Sequence, residues 1–527
     1  MISRRTLIQL GCLSSLPAIT RGASSSDEAD DQWGRLAGRA MTVELSGETL
    51  GLEEAAFLRR HQFRSFILFT RNVTSAEQTR RLIADLRIAV GDEIVVSIDN
   101  EGGSTFRTAF LPAAPSPLAL AAIGDEGLAE KVGAAVARGL ISLGINWNLA
   151  PVLDLNSNPR NPILLERAFG SDPRKAARLA MAWTRGHLEQ GVATCIKHFP
   201  GKGDTQIDAH LDLPTIRKPR ETLDAVELSL FREQIKLSPG VMVSHVVFPA
   251  FDPKLPASLS PAVTQTLLHD QMGFAGVTTT DALDMGAIRK HWGQPRGAVM
   301  AIQAGADLAL VLDDGVTRDD TAASHAALKE AARQGAIGRQ RLLEANARVD
   351  ALIRRFPCVP QAYALQQEAA DRALFASVWQ RALTLVGPVK RPKLGSHVRL
   401  IVPADAPADG VSEEGLTAST LTARLLPLYR LDVVTYEDPK EIHWSSQSRD
   451  GAFTIVASTT RDRYSRSVSQ TWRPDLQLAL WNPYVASDLP CPTLLSYGFA
   501  PPALDAVVGW LKGELEATGV LPVKLDV

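Results

Sequence analysis

Eight short apolar runs rich in β-branched residues recur along the first two thirds of the chain, at 41–45, 65–69, 94–99, 145–154, 193–198, 241–248, 276–281 and 307–312. Between them lie stretches such as 75–89, 128–143, 174–190, 221–236 and 261–271. Their apolar residues recur at three- and four-residue intervals, the spacing of a helix with one face in a core. Strand alternating with helix eight times predicts an α/β fold built on a (β/α)8 TIM-type barrel, with a doubly wound parallel sheet as the other architecture the alternation permits. Residues 319–356 and 364–385 read as helices, and Pro357, Pro360, Pro388 and Pro392 punctuate the way out of the barrel. Runs at 398–403, 431–435, 453–457, 477–480 and 492–496, then an amphipathic 504–515, predict a smaller α/β domain. The expected layout is a lead-in over 1–31, a barrel over 32–356, a helical linker over 357–397 and a C-terminal domain over 398–527.

Composition agrees with a packed chain of more than one domain. Of 527 residues, 45% are hydrophobic and 22% charged, which excludes general disorder. Lys and Arg number 56 against 58 Asp and Glu, a formal charge of −2 with no basic tract, so no nucleic-acid footprint is expected. The N-terminus changes the picture. Arg4 and Arg5 lead an apolar stretch over 7–19 that is too short to span a bilayer, followed by a polar run over 23–31. This resembles a twin-arginine export signal, and the expected location is the periplasm. Cys12 offers a lipid-attachment site, ranked below simple cleavage because Gln9 stands where a lipoprotein signal has an aliphatic residue. Of the remaining cysteines, Cys195 reads as a buried small hydrophobe, while pairing of Cys358 with Cys491 is left open.

Polar residues terminate the apolar runs again and again: Asp99, Asp154 followed by Arg167, Lys197 with His198, His245, and Asp281. Each alone has a bland explanation, as turn chemistry for Asp99 before Gly102 and Gly103, a satisfied core histidine for His245, or a helix N-cap for Asp281. Five such endings together are what one shared site at the C-terminal face of a barrel requires.

The most distinctive segment is Lys197-His198-Phe199-Pro200-Gly201 followed by Gly203-Asp204-Thr205 and then Asp208-Ala209-His210. It resembles the β-N-acetylhexosaminidases of glycoside hydrolase family 3. The resemblance extends to Asp99-Asn100-Glu101-Gly102-Gly103, Arg167-Ala168-Phe169, Ser258-Leu259-Ser260 and Thr280-Asp281-Ala282-Leu283-Asp284-Met285, in the family order over roughly 40–315. It implies that Asp281 is the nucleophile of a retaining glycosidase and that His210, polarised by Asp208, is the acid/base. Asp99, Arg107, Arg167, Lys197 and His198 would hold the sugar. A histidine titrating near about 6.5 suits proton transfer, and a carboxylate on one ring nitrogen fixes the tautomer. Asp284 is expected to shape the turn. Three departures stand out: Ala209 for the usual Ser, Ser104 for the usual Arg at the pocket mouth, and Lys202 for the usual His. Lys202 is expected to lower the His210 pKa or to contact an acidic aglycone.

The implied function is an exo-β-N-acetylglucosaminidase acting on GlcNAc-containing peptidoglycan fragments or chitin oligosaccharides, as a monomer with no membrane span, no cofactor and no metal, its smaller domain shaping the outer rim of the pocket. The alternatives are a family 3 β-glucosidase or β-xylosidase, which lacks the Asp-x-His loop, and a GlcNAc phosphorylase. Outside that class stand a metal-dependent barrel hydrolase using His198, His210, His245, Asp204, Asp208 and Asp281, and a non-catalytic glycan-binding protein.

Overall fold

The computed structural model describes residues 25–313, 317–404, 412, 415–444 and 451–525. The stretch expected to be an export signal, with Cys12, lies outside them. The polar run before residue 32 enters helix α1 (Ser25–Gly38), whose Leu36 and Ala37 are buried on the barrel.

Eight parallel strands carry the eight predicted runs: β1 (Met41–Glu44), β2 (Ser65–Leu68), β3 (Val95–Ile98), β4 (Trp147–Asn148), β5 (Ala193–Phe199), β6 (Gly240–Val243), β7 (Val277–Thr280) and β8 (Ala309–Val311). They pair in chain order, β8 returns to β1, and a parallel bridge between Thr279 and Leu308 joins β7 to β8. Strands buried on both faces need apolar residues at every position, hence continuous runs in place of alternation.

Several elements are shorter than their sequence signal. The run at 145–154 yields only two ladder residues because Pro151 has no N–H to donate. The run at 241–248 breaks at Ser244 and His245, after which Val247–Phe248 pairs with Asp252–Pro256 in a hairpin above the barrel. The helix expected over 221–236 divides at Val226 into Arg220–Ala225 and Glu227–Gln234, and 319–356 divides into Asp319–Arg333 and Arg339–Arg355 around Gly335, whose φ is +78°. The helix over Leu365–Ala382 stops before its predicted end, and Thr384–Val386 becomes strand β9.

β9 pairs antiparallel with β14 (Thr493–Leu495) at one edge of a second sheet that continues through β13 (Leu476–Ala479), β12 (Phe453–Ser458), β10 (His397–Pro403) and β11 (Arg430–Tyr436). The two cores meet. Leu118, Ala119 and Ala122 of the helix over Pro117–Ile123, together with Leu165, belong to barrel-side segments but are buried in the second sheet's core beside Trp379. The chain end returns to the barrel, with Val520 N donating to Ala122 O and Ser171 N to Pro522 O. Cys195, Cys358 and Cys491 are all free, and Cys358 is buried with its Sγ donating to Gly144 O, which settles the open pairing against a disulfide. No described helix is long and apolar enough to cross a membrane.

Candidate active site

Side chains from the C-terminal ends of all eight strands converge on one cavity of about 280 Å3. Asp99, Arg107, Arg167, Lys197, His198, His210 and Asp281 all line it. Asp208 stands behind His210. His245 is displaced from the cavity wall: it is fully buried, its Nε2 donates to Ala282 O (2.9 Å), and its Nδ1 accepts from the Ser258 hydroxyl (2.7 Å), so it pins the loop that follows β7. Asp204 is not among the residues lining the cavity and faces Lys218 at 3.6 Å, a lysine that also binds Glu227. Among the described residues no group of three or more His, Cys, Asp or Glu is arranged to hold a metal ion.

The floor is a chain of buried charges. Lys197 Nζ lies 2.6 Å from Asp99 Oδ1 and 2.6 Å from Glu101 Oε1, and Arg167 grips Glu101 through two bonds of 2.8 Å. Burial alone would raise the Glu101 pKa, but Arg167 and Lys197 outweigh it and hold the carboxyl well below its usual range. Burial likewise pulls Lys197 down while Asp99 and Glu101 push it up further, so it stays an ammonium. Lys197 and His198 are adjacent on β5 yet both face the cavity, where a regular strand would turn them to opposite faces. The register against β6 slips between Lys197 and Phe199, a bulge that absorbs the extra residue.

Beneath His198 a second set begins. Asp154, itself buried, accepts from His198 Nδ1 (2.6 Å) and from the Lys202 backbone N–H (2.7 Å). Burial and the nearby Lys202 ammonium lower the His198 pKa to about 4. The imidazole is therefore neutral near pH 7, and its Nε2 is free to accept a hydrogen bond. Lys202 has a partner that the sequence did not announce: its Nζ meets Asp281 Oδ2 at 3.3 Å. Burial would raise the Asp281 pKa, but Lys202 first, then His198, His245 and His210, hold it well below the ordinary value. Asp281 is thus an anion poised at the tip of β7, with its Oδ1 also accepting from Ala282 N at 3.0 Å.

The loop carrying Asp208 and His210 completes the set. Asp208 Oδ1 accepts from both the backbone N–H (2.9 Å) and Nδ1 (2.7 Å) of His210, leaving Nε2 as the nitrogen for proton exchange. Burial works to raise the Asp208 pKa, and the bonds from His210 lower it on balance. The loop is seated on the segment after β7: Gly286 N donates to His210 O and Ala287 N to Ala209 O, each at 3.0 Å. A Cβ at Gly286 would fall 2.7 Å from His210 O, so only glycine permits this approach. Ala209 is buried between Met285 and Ala287.

The contacts of four sets of residues, two of them given no role in the sequence reading and two given one there, are decided by the fold. Glu101 sat inside a quoted motif, and its pairing with two distant cations is a tertiary fact. Glu44, Arg71 and Asp313 bring charge to the cavity from β1, β2 and β8, linked by an Arg71–Glu44 ion pair and the Asp313 N–H on Glu44 Oε1 (3.1 Å). Asp284 lines the cavity, its pKa raised by burial. Ser104, expected at the mouth, donates its hydroxyl to the buried Glu166.

Comparison with known proteins gives a consistent likeness. Residues 40–352 match the description "Glycosyl hydrolase family 3 N terminal domain". The chain is 33% identical over 287 residues to Beta-hexosaminidase A of Pseudoalteromonas piscicida, covering 50% of this chain and 48% of that protein, so it spans about half of that relative's length. It is 34% identical over 276 residues to a Beta-hexosaminidase of Alkalilimnicola ehrlichii, covering 51% of this chain and 78% of the relative. A solved glycoside hydrolase family 3 beta-N-acetylglucosaminidase from Paenibacillus sp. str. FPU-7 superposes with a TM-score of 0.84 at 30% identity, covering 93% of this chain and 98% of that one.

The buried charges make a stability prediction that needs no substrate. Glu101→Gln keeps the shape but leaves Lys197 and Arg167 short of an anion, and at neutral pH is expected to destabilise the fold by about 3–5 kcal/mol in denaturant unfolding. Because the folded pKa of Glu101 is depressed, its stabilisation is fully present above the unfolded value of about 4.3 and is lost as pH falls toward the folded one. The gap between wild type and variant is therefore expected to close on acidification; a gap independent of pH would refute the assignment.

Proposed function

Since the chain belongs to glycosyl hydrolase family 3 through residues 40–352 and is a glycoside hydrolase, we propose that it is a retaining exo-β-N-acetylglucosaminidase that releases terminal GlcNAc from peptidoglycan fragments or chitin oligosaccharides. The observation that carries this reading is the placing of two groups on one small cavity: a carboxylate held ionised, Asp281, and an imidazole, His210, oriented by its own carboxylate. The hexosaminidase names of the relatives support the choice of sugar.

In this mechanism Asp281 attacks the anomeric carbon and forms a glycosyl ester as the glycosidic oxygen departs with the proton from His210 Nε2. Asp208 stabilises the imidazolium that donates it. Water then attacks the same carbon, His210 takes its proton, and the Asp281 carboxylate is released. Lys202 assists the second half, since an ammonium at 3.3 Å stabilises the carboxylate as it leaves. Asp99, Arg107, Arg167, Lys197 and the neutral His198 supply the donors and acceptors that a ring of hydroxyls needs. No step calls for a cofactor or a metal. We place the enzyme in the periplasm, exported by the twin-arginine-type segment and acting as a monomer.

Three measurements test this. Wild type is expected to cleave nitrophenyl β-N-acetylglucosaminide in preference to the β-glucoside, with activity surviving a chelator. Asp281→Ala should abolish turnover, and His210→Ala should lower kcat/KM for poor leaving groups by about 10²–10⁴-fold while sparing kcat/KM for the nitrophenyl substrate, whose kcat falls instead because hydrolysis of the glycosyl ester has lost its base. Preference for the glucoside, or release of a sugar 1-phosphate when phosphate is added, would redirect the assignment. Second, Lys202→Met removes the first cation lowering the Asp281 pKa, so the acidic limb of kcat/KM against pH should move to higher pH, and an unmoved limb would contradict the pairing. Third, fractionated cells should yield the protein in the periplasm with a new N-terminus; cytoplasmic, full-length protein would reject export.

A further inference from the structure

If Arg167 holds the sugar as proposed, the turn that carries it is held in place by the second domain. In the turn Leu165–Arg167, Leu165 has a φ of +38°, unusual for a side-chain-bearing residue, and it persists because its side chain is buried in the core of the second sheet. Its carbonyl accepts from Asn156 Nδ2 (2.8 Å), and the carbonyl of Asn156 accepts from the Tyr484 hydroxyl of the second domain (3.1 Å).

Glu166 is fully buried beside Arg167, and its counter-ion comes from the other domain. Arg461, in the segment after β12, brings Nη2 to 3.5 Å from Glu166 Oε1, with its guanidinium over the Trp481 ring at 4.4 Å. Its Nη1 donates to Ile163 O at 3.2 Å, the carbonyl to which Arg167 Nη1 donates at 3.4 Å. Two guanidinium groups therefore flank one short stretch, one facing Glu166 and the other Glu101. Glu166 is close enough to act on the charge of Arg167, which makes it a rival acceptor within the same turn.

We infer that Arg461 is a positioning residue of the pocket: by neutralising Glu166 it leaves the Arg167 guanidinium on Glu101, so that the second domain sets the geometry of the sugar-binding floor. This rests on the glycosidase reading above. A buried anion stripped of its partner takes the nearest cation, and here that cation is Arg167.

The test is steady-state kinetics on nitrophenyl β-N-acetylglucosaminide with wild type, Arg461→Met, Glu166→Gln and the double variant, each checked for folding by circular dichroism. Arg461→Met should raise KM about tenfold with kcat within about threefold, and adding Glu166→Gln, which removes the rival anion, should return KM to within about twofold of wild type. A folded Arg461→Met enzyme with unchanged KM overturns the inference. So does a raised KM that Glu166→Gln fails to lower, since that outcome makes Arg461 interdomain packing alone. If Arg461→Met does not fold, the double variant decides: KM near wild type supports the inference and a raised KM overturns it. A wild type that cleaves no glycoside sinks the glycosidase reading and this inference together, whereas an active wild type beside an unaffected variant sinks this inference only.

Discussion

Mutual neutralisation of buried charge is the constraint on which the rest of this structure depends. Glu101, Arg167 and Lys197 are withdrawn from water almost completely, and isolated charges so placed would each cost several kcal/mol. They are tolerable only as a set, with Asp99 completing the balance at the cavity edge. The set ties the end of β3, the turn at 165–167 and β5 to fixed relative positions before any ligand arrives. The neighbouring group of Asp154, His198, Lys202 and Asp281 extends the same arrangement across the barrel, with Lys202 joining the two carboxylates through its backbone N–H on Asp154 and its ammonium on Asp281.

That economy explains what was readable in the sequence. Strands buried on both faces must be apolar throughout, which made the barrel legible, and the polar residues ending those runs had no role in the core, which made the cavity legible. Asp99, Lys197, His198 and Asp281 were found in this way. The rest depends on encounters between distant segments. Nothing near Lys202 in sequence announces that its ammonium lies on Asp281, because Gly201 and Gly203 only permit the turn that brings it there. Glu101 and Glu166 are ordinary acids until Arg167, Lys197 and Arg461 meet them across more than 60 residues. The breaks at Val226 and Gly335, and the strand over Thr384–Val386, are decided by packing that overrides a continuous helical pattern.

The smaller domain was expected at the outer rim of the pocket. Its contacts reach deeper, to the segment under Arg167, through Leu165, Asn156 and Glu166. Binding groups on the barrel are thus braced from outside it, by the core that buries Leu165 at its positive φ.

The returning chain end carries a consequence for biosynthesis. Pro522 O accepts from Ser171 N at 3.0 Å and occupies the space a Cβ at Gly170 would need, next to Phe169 and the turn that bears Arg167. Synthesis proceeds from the N-terminus, and domains generally fold as they emerge. The eight strands can therefore close while the ribosome is still working, but the segment that follows Arg167 waits for Pro522, made 351 residues after Ser171. The barrel is finished early; the seat of the segment behind Arg167 is finished only once the chain is long enough to come back to it.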